Sequence, residues 1–337
     1  MKAVGISIPG TVDSPDALVD LDLPVPTPGP HDLLVRVKAI SVNPADTKVR
    51  RFSSHAPGTH RIAGYDAAGV VEAVGAAVTL FRPGDAVYYA GDITRPGTNA
   101  ELHLVDERIV AAKPTTLDWA GAAALPLTAI TAWEALFDRI DVTRPVPGAN
   151  ALLVIGGAGG VGSIAIQLAK VLTDLPIIAT ASRPATVEWS KRLGADHVID
   201  HRQPLAPQVA ALGIGAPGFV LSTTYTEQHL PAIAELIAPQ GRLALIDDPK
   251  VLDIAAFKHK MVSVHWEFMF GRAMFQTPDM VAQHKLLSEV ARLVDQGRII
   301  TTQTQTLSPI NAATLREAHA LIESERMRGK IVLEGWA

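Results

Sequence analysis

The stretch that most restricts the fold of this chain is ALLVIGGAGGVGSIAIQLAK, from Ala151 to Lys170. Its opening run, Ala151 to Ile155, is apolar throughout, with the length and composition of a buried parallel strand. Five of the next seven residues are glycine, and Gly157, Gly159 and Gly162 fall in the spacing G-x-G-x-x-G. The remainder, Val161 to Leu172, reads as a mostly apolar helix. In that context the first glycine permits a tight turn, the second lets backbone approach a pyrophosphate, and the third lets helix and strand pack closely. Phosphate would sit on the helix N-terminus, where unpaired N–H groups and the positive end of the dipole point. Gly157, Gly159, Gly160, Val161 and Gly162 are the expected phosphate-binding residues. Glycine-rich turns also serve simple packing, but strand, glycines, helix and a following strand in order argue for a dinucleotide site. Ala149 to Ala169 carries no charge and is long enough to span a bilayer. Its glycine cluster and the polar Asn150 and Gln167 favour a buried strand–helix unit.

Around this turn the chain divides into three parts. Residues 1 to about 124 hold short β-like runs (Leu33–Ala39, Gly69–Val74, Ala86–Tyr89, Leu102–Val105) punctuated by turn signals, which predicts a mostly β domain. From Pro126 to about Phe270 strands and helices alternate, with further strands expected at Ile177–Ala181, Val198–Asp200, Phe219–Leu221, Arg242–Ile246 and Met261–His265. Such alternation predicts an α/β, doubly wound parallel sheet. Helices around Asp279–Gln296 and Asn311–Glu325 and a strand at Ile331–Glu334 follow.

Composition excludes several functions. The net charge is −4, from 30 basic and 34 acidic residues, so nothing electrostatic favours nucleic acid. There is no cysteine, which excludes disulfides and thiol catalysis and leaves only His and carboxylates as zinc ligands. The N-terminus lacks an apolar segment of signal-peptide length, and a cytoplasmic protein without a membrane partner is expected.

The second strand of the alternating region indicates which dinucleotide. NAD enzymes usually end it with an acidic residue roughly 20 residues past the glycines, on the ribose 2′-hydroxyl. Here the strand ends in Ser182-Arg183, and no carboxylate follows until Glu188. A hydroxyl and a guanidinium suit a 2′-phosphate, so NADP(H) is expected. The alternative is that Ser182 caps a helix beginning near Ala185 and Arg183 is solvated surface. Lys191 and His201 are further candidates for the adenosine end.

The chain resembles a medium-chain dehydrogenase/reductase, in the zinc-free branch that includes quinone oxidoreductases and enoyl reductases. The resemblance runs end to end, through NPAD (Asn43–Asp46), GYDAAGVVEAVG (Gly64–Gly75), RPGDAV (Arg82–Val87), LPLT (Leu125–Thr128) and the glycine turn. HWEF (His265–Phe268) and RGKIVL (Arg328–Leu333) further resemble a bacterial subgroup labelled zinc-type alcohol dehydrogenase-like. The resemblance implies a GroES-like catalytic domain over 1–125, completed by 271–337, and a Rossmann dinucleotide-binding domain over 126–270. Zinc-dependent relatives place a cysteine ligand in the loop where this chain has Ser41-Val42-Asn43, and Gly-His-Glu where it has Gly64-Tyr65-Asp66. Their remaining cysteines have no counterpart. His55 and His60 match no helical ligand pair, and no zinc is expected.

Without a Lewis acid, hydride transfer needs a substrate that delocalises the arriving charge itself. Quinones and α,β-unsaturated carbonyls do so, and protein groups then position the acceptor and stabilise its oxygen. The expected site residues on the β-domain loops are Asn43, Asp46 and Tyr65. Asn43 could donate to the nicotinamide ribose or the substrate carbonyl, and Tyr65 could give its phenolic proton to a developing oxyanion. Asp46 would orient its neighbours. Thr128 resembles the family's threonine beside the nicotinamide. Asn43 as a turn residue and Tyr65 as a partly buried aromatic are the structural alternatives. Trp133-Glu134 reads as core. The apolar terminal strand near Met261–His265 and the family's habit of pairing there imply a homodimer. Two other functions stay open: a metal-dependent alcohol dehydrogenase with unusual ligands, and a non-catalytic cofactor-binding protein.

Overall fold

The strand that feeds the glycine turn lies at the centre of a sheet whose every pairing is parallel. In the computed structural model, which describes residues 1–56 and 58–336, the spatial order is His197–Ile199, Ile177–Thr180, Leu152–Ile155, Phe219–Ser222, Arg242–Leu245, Ser263–Trp266. Along the chain this is the order 3-2-1-4-5-6, the doubly wound arrangement whose strand order reverses beside the first strand. Leu153 is level with Ile178 on one side and Val220 on the other. Leu152–Ile155 and Phe219–Ser222 are buried at every residue, as strands covered on both faces must be. The uncharged stretch across the turn is therefore a buried strand, a turn and the helix Gly160–Leu172. Trp119–Arg139 is a helical run long and apolar enough to cross a membrane, but 89% of its most apolar 18-residue window is buried. Its last part, Glu134–Arg139, is wound as a π-helix.

Two compact units emerge, Thr128–Met269 and Met1–Leu127 with Phe270–Ala337. The second contains a seven-stranded, mainly antiparallel sheet ordered Gln303–Leu307, Lys330–Glu334, Asp32–Val42, Asp66–Val74, Ala86–Ala90, Val110–Ala112, with Leu102–Asp106 also on Asp32–Val42. Its core is built from alternating inward residues such as Val35, Val37, Val71, Val87, Ile331 and Leu333. The last strand pairs antiparallel with Asp32–Val42, Ile331 opposite Val42. That register brings Lys330, at the strand's start, next to the loop that opens at Asn43. The architecture is the expected one: a parallel doubly wound sheet and a mostly β GroES-like domain. The strands Lys2–Ile6, Val19–Asp22 and Gln303–Leu307 and the helix Pro44–Phe52 are elements the apolar patterning did not disclose.

Candidate active site and cofactor turn

The glycine turn separates glycines the protein needs from one it does not. A Cβ on Gly162 would lie 2.2 Å from the carbonyl oxygen of Gly156, so helix and turn can approach only with glycine there. Gly159 has an ordinary φ of −71° and would place a Cβ no nearer than 3.4 Å to its neighbours. Neither strain nor packing demands glycine at 159. Close approach of a ligand's pyrophosphate does, so the turn fits a dinucleotide. Gly159 is also the N-cap and has no side chain to cap with, leaving the first amides of the helix, at Gly160, Val161 and Gly162, without intrahelical acceptors.

At the end of the second strand, Ser182 is half-buried and Arg183 exposed. The helix Pro184–Arg192 is capped at Arg183, whose N–H donates to Thr186 Oγ1 at 3.2 Å. Ser182 is thus not the cap. Its carbonyl accepts from Arg202 Nη2 at 2.9 Å. Arg202 also pairs with Asp200 at 2.8 Å and holds that carboxyl down to about 2. His201 feels both arginines: its imidazole is pushed down by burial first and then by Arg202 and Arg183, with Asp200 opposing. The structure therefore gathers Arg183, His201 and Arg202. Lys191 is in the last turn of the helix, about 12 Å along its axis from Arg183 at 1.5 Å per residue, and does not join them. Nothing local in the sequence marks Arg202. It lies three residues past the third strand, whose parallel pairing with the second puts their ends side by side.

In the first unit a buried carboxylate heads the largely apolar strand Asp66–Val74. Asp66 Oδ1 accepts from the Leu127 N–H at 2.7 Å, and Oδ2 accepts from Asn43 Nδ2 at 2.8 Å and Lys330 Nζ at 3.0 Å. Lys330 Nζ also donates to Asn43 Oδ1. All three side chains are buried. Asn43 was expected to donate to the ribose or the substrate. Its carboxamide is instead engaged at both ends inside the protein, which makes it a residue that positions its loop. The sequence marks its partners Asp66 and Lys330 only by a charge at the head of a largely apolar strand.

Asp46, in the first turn of the helix Pro44–Phe52, accepts from the Asn43 N–H through Oδ2 at 2.7 Å, while its buried Oδ1 has no partner. Burial pushes its carboxyl up to about 7, with Asp66 adding to the shift and Lys330 opposing it. Tyr65 is wholly buried and meets the Phe270 ring edge-on at 5.0 Å. Its Oη has no hydrogen-bond partner of good geometry. Burial, then Asp46, pushes the phenol up to about 12, while the neighbouring Arg61 guanidinium pulls it down. Thr128 is buried at the start of the other unit, in the helix Pro126–Trp133. That unit also holds two buried acids, Glu134 and Glu267, the latter accepting from Arg139 Nε at 2.9 Å.

The residues do not fit a catalytic zinc. At the positions where the resemblance puts thiolate and imidazole ligands stand a carboxamide locked by an ammonium and a phenol. Among the described residues no three His, Asp or Glu side chains are grouped to hold a metal. His55 Nε2 is 3.0 Å from the Ser7 carbonyl oxygen, a local tether.

Comparison with known proteins agrees with the two-part fold. Residues 29–115 match the model of the alcohol dehydrogenase GroES-like domain, and residues 193–333 that of a zinc-binding dehydrogenase. A zinc-type alcohol dehydrogenase-like protein of Staphylococcus aureus is 39% identical over 338 residues, covering 99% of both chains. A Rhizobium etli protein provisionally assigned as a zinc-dependent alcohol dehydrogenase superposes with a TM-score of 0.98 at 64% identity, over 100% of this chain and 98% of that one. A quinone oxidoreductase of Pseudomonas syringae pv. tomato superposes at 0.81 with 26% identity, over 99% of each. The chain belongs to the medium-chain dehydrogenase/reductase family, and it is an oxidoreductase of that type with a pyridine-nucleotide fold.

Proposed function

We propose that this protein is an NADPH-dependent reductase that delivers hydride to a quinone or an activated alkene without a metal. The observation that carries the reading is the replacement of a metal's ligands by the Asn43–Asp66–Lys330 network and the buried Tyr65 phenol. When bound, the nicotinamide supplies the hydride. Gly157, Gly159, Gly160, Val161 and Gly162 receive the pyrophosphate, and Ser182, Arg183 and His201, joined by Arg202, take the 2′-phosphate. Lys191 lies too far from them to take part. Thr128 is assigned to the nicotinamide side. Asn43 and Asp46 fix the loop, and Tyr65 gives its proton to the acceptor's oxygen. Thr128–Met269 is the cofactor domain in this reading, and Met1–Leu127 with Phe270–Ala337 the catalytic one. The likeness to a quinone oxidoreductase supports the acceptor class.

The deciding measurement is NADPH consumption with 1,4-naphthoquinone and methyl vinyl ketone, with and without EDTA. Turnover that EDTA leaves unchanged is expected. A preference for NADH overturns the cofactor assignment, and oxidation of primary alcohols that EDTA abolishes overturns the reaction.

The same reading includes a homodimer. The edge strand Ser263–Trp266 is paired on one side only, with Arg242–Leu245, and Met261, Trp266 and Phe268 around it are each more than half exposed. Pairing of two such edges removes an aggregation-prone surface. Light scattering at micromolar concentration should give twice the chain mass of 35.7 kDa, and a monomer mass refutes it.

A further inference from the structure

We infer that Arg61 and Tyr65 form one oxyanion-binding pair, in which the phenol donates to the acceptor's oxygen and the guanidinium neutralises the charge developing there. The inference rests on the proposed reductase reading and adds to it the group that supplies positive charge in place of a metal.

Arg61 opens the two-residue strand Arg61–Ile62, held against Lys2–Ile6 with Arg61 opposite Ile6. Its Nη2 donates to the Ile93 carbonyl at 2.5 Å, which anchors the head of the side chain. Its Nε is buried with no acceptor of good geometry, and the phenolic oxygen of Tyr65, four residues on, is equally buried, with the Arg61 side chain close enough to donate to it. Buried polar groups are almost always paired, so a guanidinium and a phenol satisfied by nothing better than each other need an explanation. With the phenol oxygen beside the guanidinium, what is missing is an acceptor for the phenolic proton. The surrounding charges sharpen the point. Asp46 and Asp92 both disfavour negative charge at the phenol, and Arg61 favours it. Asp92 Oδ1 is already occupied by the Thr94 N–H at 2.8 Å and its hydroxyl at 2.7 Å. Two buried cations of this unit are already engaged, Lys330 by Asn43 and Asp66 and Arg50 by Glu323.

A conjugated acceptor supplies the missing partner. Hydride adds to its β-carbon, the C=C pair moves to form the enolate, and the charge arrives on oxygen. Tyr65 Oη–H passes its proton to that oxygen, leaving a phenolate beside the guanidinium. Water then returns a proton to the phenolate, and the enol relaxes to the ketone. Arg61 stays protonated throughout, as a guanidinium must. A quinone follows the same path with hydride received at its conjugated ring system and the hydroquinone as product. Donors held in place before the reaction and aimed at the developing charge act where they count most.

The test uses Arg61→Met, Arg61→Gln, Arg61→Lys, Tyr65→Phe and the double variant Tyr65→Phe/Arg61→Met. Loss of one oxyanion donor lowers kcat on the order of 10²-fold, so Met and Gln at 61 should fall in that range with the KM for NADPH unchanged. Lys, which keeps the charge, should recover much of it. Because the two residues act on one oxygen, the double variant should be little slower than the slower single one. A second readout needs no turnover: binding of 4-nitrophenol to the NADP⁺-loaded protein, followed by its phenolate absorbance. The wild type should favour bound phenolate and Arg61→Met should not. Wild-type kcat in either neutral variant, fully additive losses, or no bound phenolate in the wild type would each overturn the inference. If the wild type reduces neither acceptor, the reductase reading fails by itself, while 4-nitrophenol still reports whether this pair holds an oxygen anion.

Discussion

Two buried carboxylates, one in each unit, have opposite surroundings. Asp66 receives a backbone N–H at 2.7 Å, a carboxamide at 2.8 Å and an ammonium at 3.0 Å, and Lys330 is itself only 3% exposed. Glu267 has equally little exposure, but its one cation, Arg139, is 37% exposed and a second acid, Glu134, lies against it. One oxygen of Glu267 has no hydrogen bond of good geometry. Burial, with Glu134 reinforcing it and Arg139 opposing, pushes this carboxyl up to about 9. Burial is common to both sites. The sign and number of the neighbours make one an ion pair and the other a proton store.

The harshest way to break the contrast is to remove the cation at the first site. Lys330→Met would leave Asp66 buried without its counter-charge, and losing one partner of a buried pair costs about 3–5 kcal/mol. The midpoint of urea unfolding should drop accordingly, and Asp66→Asn in the same chain should recover part of the loss. A change below about 1 kcal/mol, the size of an exposed pair, would mean the network is solvated in solution.

An exposed cation sharpens the comparison from the other side. Arg183→Ala should leave stability almost untouched and weaken NADPH binding by about 1.5–3 kcal/mol, the size of a hydrogen bond to a charged group. That is about 10- to 150-fold at 1.4 kcal/mol per factor of ten. NADH, lacking the 2′-phosphate, should bind as before. Arg202→Ala should have a smaller effect on NADPH, because that guanidinium is already paired with Asp200. Equal losses for both nucleotides in Arg183→Ala would make the residue structural.

These sites differ in how much of them the sequence disclosed, and chain distance is the reason. The glycine turn is complete within twenty residues, Ala151 to Lys170, so local patterning fixed the strand, the turn and the helix together. Ser182-Arg183 was legible by its place at a strand end. The Asp66–Lys330 pair spans 264 positions, and only the antiparallel register of the last strand on Asp32–Val42 brings it together. Asn43 shows the limit most plainly. Its loop was recognised, but whether its carboxamide faced a ligand or a lysine depended on a strand nearly three hundred residues away. Arg61 stands outside any periodic pattern, in a strand of two residues, and nothing local marked it.

Glu267 gives the smallest effect and tests the comparison in its own terms. The carboxyl starts from an ordinary value of 4.5 in the unfolded chain and is raised to about 9 in the folded one. The folded state therefore keeps a proton that the unfolded state has released. Stability from this group is fully present below pH 4.5 and is lost as pH rises towards 9. Asp46, raised from 3.8 to about 7, acts in the same direction but is exhausted above pH 7. The buried His103 and His319, lowered to about 4 and about 3, act only on the acid side of their unfolded value of 6.5. Between pH 7.5 and 9, then, Glu267 is the acid that matters. Stability should fall there by on the order of 1 kcal/mol per pH unit, against a ceiling of about 1.4 for one proton. Glu267→Gln, which fixes the neutral form, should flatten that slope and match or exceed the wild type at pH 9. Glu134→Gln removes the repelling acid and should move the decline to lower pH. A slope that persists in Glu267→Gln would show that the proton is held elsewhere, and the second site would then be an ion pair like the first.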